Sequence, residues 1–383
     1  MDFNLSDEQR MLQENARRYM EKTYTFSMRQ AIAADGGFSR DVWRAFSEMG
    51  WLAAGIPEAF DGVGFGPVET TLLVEEMGRG VLLEPYLHGC LFPAAVIQHC
   101  AGEAHQAELL PLIASGAALI TVAFSEPAAR GETSWVACRA ERKGNAYVLN
   151  GRKSVVVCAE QSDWVLVVAR TSGEPGDGDG LSVFLVGRDT PGVSWDAARL
   201  LDGTPAADLL LDNVEVPAAA LMGTEGSAYP GLQHAVDLMI VHQCAEIVGG
   251  MEDVLTLCAD YLKTRKQFGV PIGSFQALQH RMADMAIETM QARASLHRAL
   301  AILAADVSAH ERSAQISGCK AQVLRSAKFV TAQGIQLHGG YGLTEEFRVG
   351  HHYRRLVLNN AWWGGLEFHL SRYARFIQLG CAA

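Results

Sequence analysis

The residues from Gln333 to Gly365, QGIQLHGGYGLTEEFRVGHHYRRLVLNNAWWGG, gather side chains suited to chemistry: imidazoles, guanidinium groups, a Thr-Glu-Glu run and a tryptophan pair. Gly339, Gly340 and Gly342 leave one short turn bare of side chains, so backbone N–H groups there can close on an anion. The stretch reads as a loop, and loops with such residues carry function more often than packing. A second run, YLKTRKQFGVPIGSFQALQH from Tyr261 to His280, adds Arg265, whose fixed fork suits a pyrophosphate.

Other reactive residues point less far. His338, His351 and His352 lack the H-x-x-x-H spacing of a metal-binding helix face, so solvent or interface roles are expected and no metal site is assigned. Arg348, Arg354 and Arg355 suit a phosphate, a partner's acidic surface or solvent. Trp362 and Trp363 suit either a plug in a cavity or an interface anchor. The glycines of Pro57–Pro67 imitate a dinucleotide fingerprint, but no strand precedes them and Pro67 follows, so the segment reads as a connecting loop.

These residues sit in a chain of 383, longer than one core usually serves, so two or three domains are expected. Hydrophobic residues make up 49% and charged residues 20%, an ordinary globular balance. The net charge of −11 argues against nucleic-acid binding, which needs a basic stripe. Eight cysteines without a CxxC spacing predict buried reduced thiols rather than disulfides. No apolar run is long enough to span a membrane and no signal peptide is visible, so a cytoplasmic location is expected.

Periodicity divides the chain into three. Residues 1–119 read as an N-terminal α-helical domain, with Ser6 as the cap of the first helix and further helices over Asp41–Met49 and Val68–Met77. Residues 120–226 carry short apolar or alternating runs at 119–124, 146–149, 155–157, 164–168, 181–186 and 207–211. Turn chemistry separates them at Asn150-Gly151, Pro175–Gly180 and Pro191-Gly192, which predicts a β-barrel or sandwich. Residues 227–383 return to helix over 232–262, 282–303, 318–333 and 368–379. The fold class is α+β, mainly α.

The Tyr261–Gln279 run matches Y-x-x-x-R-x-Q-F-G-x-x-I-x-x-F-Q-x-x-Q, and Gln336–Gly342 matches Q-x-x-G-G-x-G. Together they resemble the acyl-CoA dehydrogenase family. Pro57-Glu58, Ser125-Glu126-Pro127, Asn150–Lys153 and Val214–Pro217 follow in the family's order, so the resemblance spans nearly the whole chain. It implies an N-terminal α-helical domain, a middle β-barrel and a C-terminal four-helix bundle. It also implies a flavin enzyme that oxidises acyl-CoA thioesters to 2-enoyl-CoA, with a glutamate removing the α-proton.

Carried onto this chain, the family's residues divide. Its catalytic glutamate stands 24 residues after the first glycine of the pair, or in a second branch 22 residues before the tyrosine; here those positions are Trp363 and Met239, neither able to accept a proton. The T-E-P-x-x-G-S-D strand that serves the flavin ring has become Ser125–Glu132 without G-S-D, and K-x-W-I-T has become Lys153–Val157, which reads as core. The residues that in this family meet the ADP moiety of a neighbouring subunit's FAD remain: Arg265, Gln267, Phe268, Gln336, Gly339 and Gly340.

The resemblance is thus to the smaller, baseless subunit of heteromeric, often α2β2, bacterial acyl-CoA dehydrogenases. Its implied partners are a homologous subunit carrying the glutamate, an acyl-CoA of a bulky kind such as a steroid side-chain or dicarboxylyl thioester, and an electron-transfer flavoprotein as acceptor. Two other readings stay open. One is a self-sufficient homotetramer with its base moved to Glu367 or Glu246; the other is a cofactor-free structural homologue.

Overall fold

The computed structural model describes residues 4–381. Six helices come first: α1 Asp7–Lys22, α2 Phe26–Ala34, α3 Arg40–Glu48, α4 Pro67–Arg79, α5 Phe92–Cys100 and α6 Glu103–Ala114. Ser6 starts α1 with a capping box: its hydroxyl accepts from the Gln9 N–H at 3.1 Å, and the Gln9 side chain accepts from the Ser6 N–H at 3.0 Å. The glycine-rich run before Pro67 is a loop with one short 3-10 turn at Glu58–Phe60.

Seven strands follow: β1 Ile120–Ala123, β2 Arg139–Lys143, β3 Ala146–Val157, β4 Trp164–Arg170, β5 Leu181–Gly187, β6 Val193–Arg199 and β7 Pro205–Pro217. They form one sheet in the order β1-β4-β2-β3-β7-β6, with β5 paired to β4, a half-barrel rather than a closed barrel. Asn150-Gly151 is not a turn but a bulge within β3, where the register against β7 slips between Leu149 and Gly151. A Cβ on Gly151 would come within 2.8 Å of the Cys138 Cα, so the glycine serves close strand approach. The charged strands β2 and β6 escape an apolar-run search because most of their side chains face solvent.

The helical remainder comprises α7 Tyr229–Thr264, the two-residue strands β8 Lys266–Gln267 and β9 Val270–Pro271, then α8 Gln276–Leu303, α9 Ala309–His338, α10 Val349–Asn359 and α11 Leu366–Cys381. Most of Gln333–Gly365, expected to be a loop, is therefore the end of α9 and all of α10. The four long helices were legible from their apolar spacing. α10 was not, because its sequence is mostly polar and its partners lie elsewhere in the chain.

The chain divides into two compact units that cut across its order. One comprises residues 1–30, 71–82 and 240–383; the other comprises 31–70 and 83–239. Within the first, a chain of ion pairs ties four helices together. Arg17 of α1 meets Glu76 of α4 at 2.7 Å, Arg79 of α4 meets Glu252 of α7 at 2.5 Å, and Arg293 of α8 meets Glu75 of α4 at 2.9 Å and also Glu252. Burial disfavours the Glu252 carboxylate, but Arg293 and Arg79 outweigh it and hold its pKa below the usual range. At Gly249 a Cβ would lie 1.9 Å from the Glu75 carbonyl oxygen, so α4 and α7 touch backbone to backbone. Within the second unit, α5 and the π-turn Tyr86–Leu91 pack on β1, and Phe92 meets Phe124 edge-on at 6.3 Å.

Candidate functional site

Arg265 directly follows α7 and opens a hairpin in which Lys266 pairs with Pro271 and Gln267 with Val270. Phe268 and Gly269 make its tip with φ of 55° and 82°, the positive pair that two-residue hairpins favour. Phe268 is 91% exposed, an unusual placing for a bare aromatic ring. Arg265 and Gln267 are exposed as well.

The end of α9 lies against the end of α7. Tyr261, four residues before Arg265, packs at a tilt on His338 at 4.5 Å, and His338 lies 4.7 Å from Phe347, which in turn lies 4.6 Å from Tyr341. His338 is buried, its Nδ1 bonds the Gly334 carbonyl at 2.8 Å, and burial lowers its pKa. Gly339 follows with φ 60°, and a Cβ added at Gly339 or Gly340 would meet nothing within 4 Å. Gln336, Gly339 and Gly340 are exposed. The aromatic stack thus brings the Arg265 hairpin and the glycine turn to the same end of one helix pair, with open space over the glycines. That fits a phosphate-bearing group held by backbone amides and a guanidinium.

The other end of the stretch is closed. Trp362 and Trp363 are buried, and Trp363 takes φ 52°, rare for a bulky residue. Lys320 of α9, wholly buried, donates to the Trp362 carbonyl at 2.6 Å. His369 of α11 bonds the Trp363 carbonyl through Nε2 at 3.1 Å and Ser317 through Nδ1 at 2.9 Å. Burial lowers the Lys320 pKa to about 7 and holds His369 well below the normal imidazole value. Met239 on α7 is fully buried. Of the two alternative carboxylates, Glu367 is exposed, whereas Glu246 is buried and accepts from the Asn359 amide at 3.0 Å.

The strand expected to face a flavin ring lies in the other unit. Lys153 is buried and donates at 2.7 Å to Glu126, whose carboxylate also accepts from the Ala137 and Cys138 N–H groups. Val156 and Val157 are core, as an all-apolar strand predicts, but Val155 is 42% exposed at φ 55°. A β-branched residue in that region is a genuine outlier. The backbone at this position turns its side chain outward, and the side chain it presents is a valine.

Two expectations are corrected. His351 and His352 are buried rather than solvent-facing, and both have acidic neighbours: His352 Nε2 lies 2.8 Å from Asp253 and His351 Nε2 lies 3.5 Å from Glu345. The basic residues are not a free patch either. Arg348 grips Asp253, Arg354 grips Glu345, and Arg355 donates to the Leu82 carbonyl and faces Glu246. Asp253 lies about a hundred residues from these partners, so no local spacing could reveal it.

Models of the acyl-CoA dehydrogenase N-terminal, middle and C-terminal domains match residues 6–117, 121–214 and 233–378. The chain belongs to the acyl-CoA dehydrogenase family, whose cofactor is FAD. Among its relatives is the acryloyl-CoA reductase (NADH) of Anaerotignum propionicum, 30% identical over 384 residues, covering 98% of this chain and 95% of that protein. In structure it is similar to a Tcur3481-Tcur3483 steroid ACAD, with TM-score 0.87, 29% identity and coverage of 98% and 99% of the two chains. It is also similar to the ChsE4-ChsE5 complex of Mycobacterium tuberculosis, with TM-score 0.87, 25% identity and coverage of 99% of each chain. Among the described residues no helix is long and apolar enough to cross a membrane.

Proposed function

We propose that this chain is the subunit lacking the catalytic glutamate in a heteromeric acyl-CoA dehydrogenase, and that it supplies ADP-side contacts to FAD seated in a homologous partner. Arg265, Gln267, Phe268, Gln336, Gly339 and Gly340 would hold the nucleotide end. The observation that carries this reading is the contrast between that exposed, open set and the buried Trp363 and Met239, where the family keeps its base. When bound, the flavin supplies acceptance of the β-hydrogen as hydride. This chain's own part is to clamp a pyrophosphate with one guanidinium and two bare amides, and to cover the nucleotide with Phe268.

Neither alternative carboxylate supports a self-sufficient enzyme: Glu367 lies on the outer surface and Glu246 is already engaged by Asn359. The likeness to a steroid ACAD and to the ChsE4-ChsE5 complex favours a two-chain assembly acting on a bulky thioester, with α2β2 stoichiometry. An electron-transfer flavoprotein is the proposed acceptor, and the cytoplasm the proposed location. The test is co-expression with a homologous chain that carries the catalytic glutamate. Flavin absorbance and acyl-CoA oxidation are expected only in the co-purified pair. Stoichiometric FAD and turnover by this chain alone would overturn the proposal.

A further inference from the structure

α7 is largely apolar, yet Gln243, Glu246, Gly250 and Asp253 recur along it at three- and four-residue steps, on one face. Arg348, the N-cap of α10, and His352, Arg355 and Asn359 within it follow at the same steps. The two rows meet in pairs. Arg348 binds Asp253 through Nε at 2.7 Å and Nη2 at 2.5 Å, and His352 Nε2 bonds the same carboxylate at 2.8 Å. The Arg355 guanidinium lies 3.6 Å from Glu246, while Asn359 donates to Glu246 at 3.0 Å and accepts from the Gln243 amide at 3.3 Å.

Near the middle of these rows the residue without a side chain is Gly250. A Cβ there would stand 3.0 Å from His352 Nδ1. The vacated space belongs to a cavity of about 20 Å3, walled by Glu246, Gly250, Thr331, His352, Arg355 and Asn359 among others. One water needs roughly 10–15 Å3 of such space together with two to four polar partners. His352 Nε2 is committed to a carboxylate, so in the neutral ring it carries the proton and Nδ1 is left as an acceptor. Nδ1 faces the space beside Gly250, and His352 as a residue is 5% exposed. A protonated ring would leave Nδ1 needing an acceptor instead. Glu246 and Arg355 offset each other's charge, so the cavity suits a neutral molecule able both to donate and to accept.

We infer that this cavity is a binding site for one ordered water, bonded to His352 Nδ1 and to the Glu246–Arg355 pair, which completes the polar seam between α7 and α10. The seam matters because α10 joins the Gly339–Leu343 turn to the Trp362–Trp363 segment. It fixes the helix between those two segments against α7.

A crystal structure of the purified chain, alone or with its partner, is expected to show a single well-ordered water within about 3.2 Å of His352 Nδ1. A dry cavity, or a ring bonding Asp253 through Nδ1, overturns the inference. Histidine 15N NMR gives an independent reading. The His352 Nδ1 signal is expected to be shifted by a hydrogen bond to the water, accepted or donated, while Nε2 is bonded to Asp253; an Nδ1 signal without that shift overturns the site. Gly250→Ala puts a methyl beside Nδ1 and is expected to abolish the water density, and His352→Phe to abolish it by removing the acceptor. Water retained in either variant overturns the assignment. None of these readouts depends on bound FAD.

Discussion

The glycine turn at Gly339-Gly340 and the tryptophan pair at Trp362-Trp363 lie on either side of α10 and differ in what their backbones are free to do. At the turn, the space where Cβ atoms would project is open and the neighbouring Gln336 is exposed. At the tryptophans, both carbonyls are taken by buried side chains, Lys320 and His369, and both rings are buried. An exposed turn can exchange water for a ligand at small cost. A buried loop whose polar atoms are satisfied resists change, because freeing them leaves desolvated groups without partners. The proposed absence of a catalytic base and the proposed nucleotide surface can therefore coexist in one segment.

The contrast breaks most sharply at Trp363. Trp363→Ala is expected to destabilise the chain by about 3–5 kcal/mol, the usual cost of emptying a buried aromatic site. Urea unfolding checks this, and a loss below about 1 kcal/mol would mean the ring is not part of the core.

Lys320 tests the same closed end through pH. Its folded pKa is depressed to about 7, whereas an unfolded lysine keeps its proton to about pH 10.4. Between those values the unfolded state binds the extra proton, so stability rises as pH climbs from roughly 7 to 10, and the penalty is full below 7. Lys320→Met is expected to remove that slope, about 1.36 kcal/mol per pH unit and so on the order of 4 kcal/mol across the window. A stability change between pH 6 and 9.5 that is the same in wild type and variant would refute the assignment.

The open end predicts the reverse pattern, with binding affected and stability untouched. Arg265→Ala in the reconstituted pair is expected to weaken FAD retention by tenfold or more, in line with about 1.5–3 kcal/mol for a hydrogen bond to a charged group. Full flavin content after gel filtration would favour a purely structural role. Phe268→Ala is the smallest case, with a stability change within about 0.5 kcal/mol because the ring is exposed, and a modest loss of flavin. A large drop in melting temperature would show that Phe268 packs within the isolated chain.

The sequence made the helical domains and most strands legible because apolar periodicity is a local property. Ser6 and Gln9 announce a helix start three residues apart, and the structure carries that capping box. The charged strand β6 was invisible because it is defined by pairing with β7, not by its own composition. α10 was missed for a related reason. His352 looked like a surface imidazole only because Asp253, its partner, lies 99 residues away. Val155 read as core, yet a positive φ that no residue pattern signals turns it outward.

By itself the sequence determined the family, the identity of the residues that stand where a base would be, and the motif of the proposed nucleotide surface. Motifs and spacing are one-dimensional, and they survive without knowledge of partners. Only the tertiary structure decided that the glycine turn is open while the tryptophans are pinned, that the basic residues of α10 are already paired, and that a cavity faces His352. Burial and pairing are properties of residues far apart in the chain, and they exist only once α7, α9, α10 and α11 have packed.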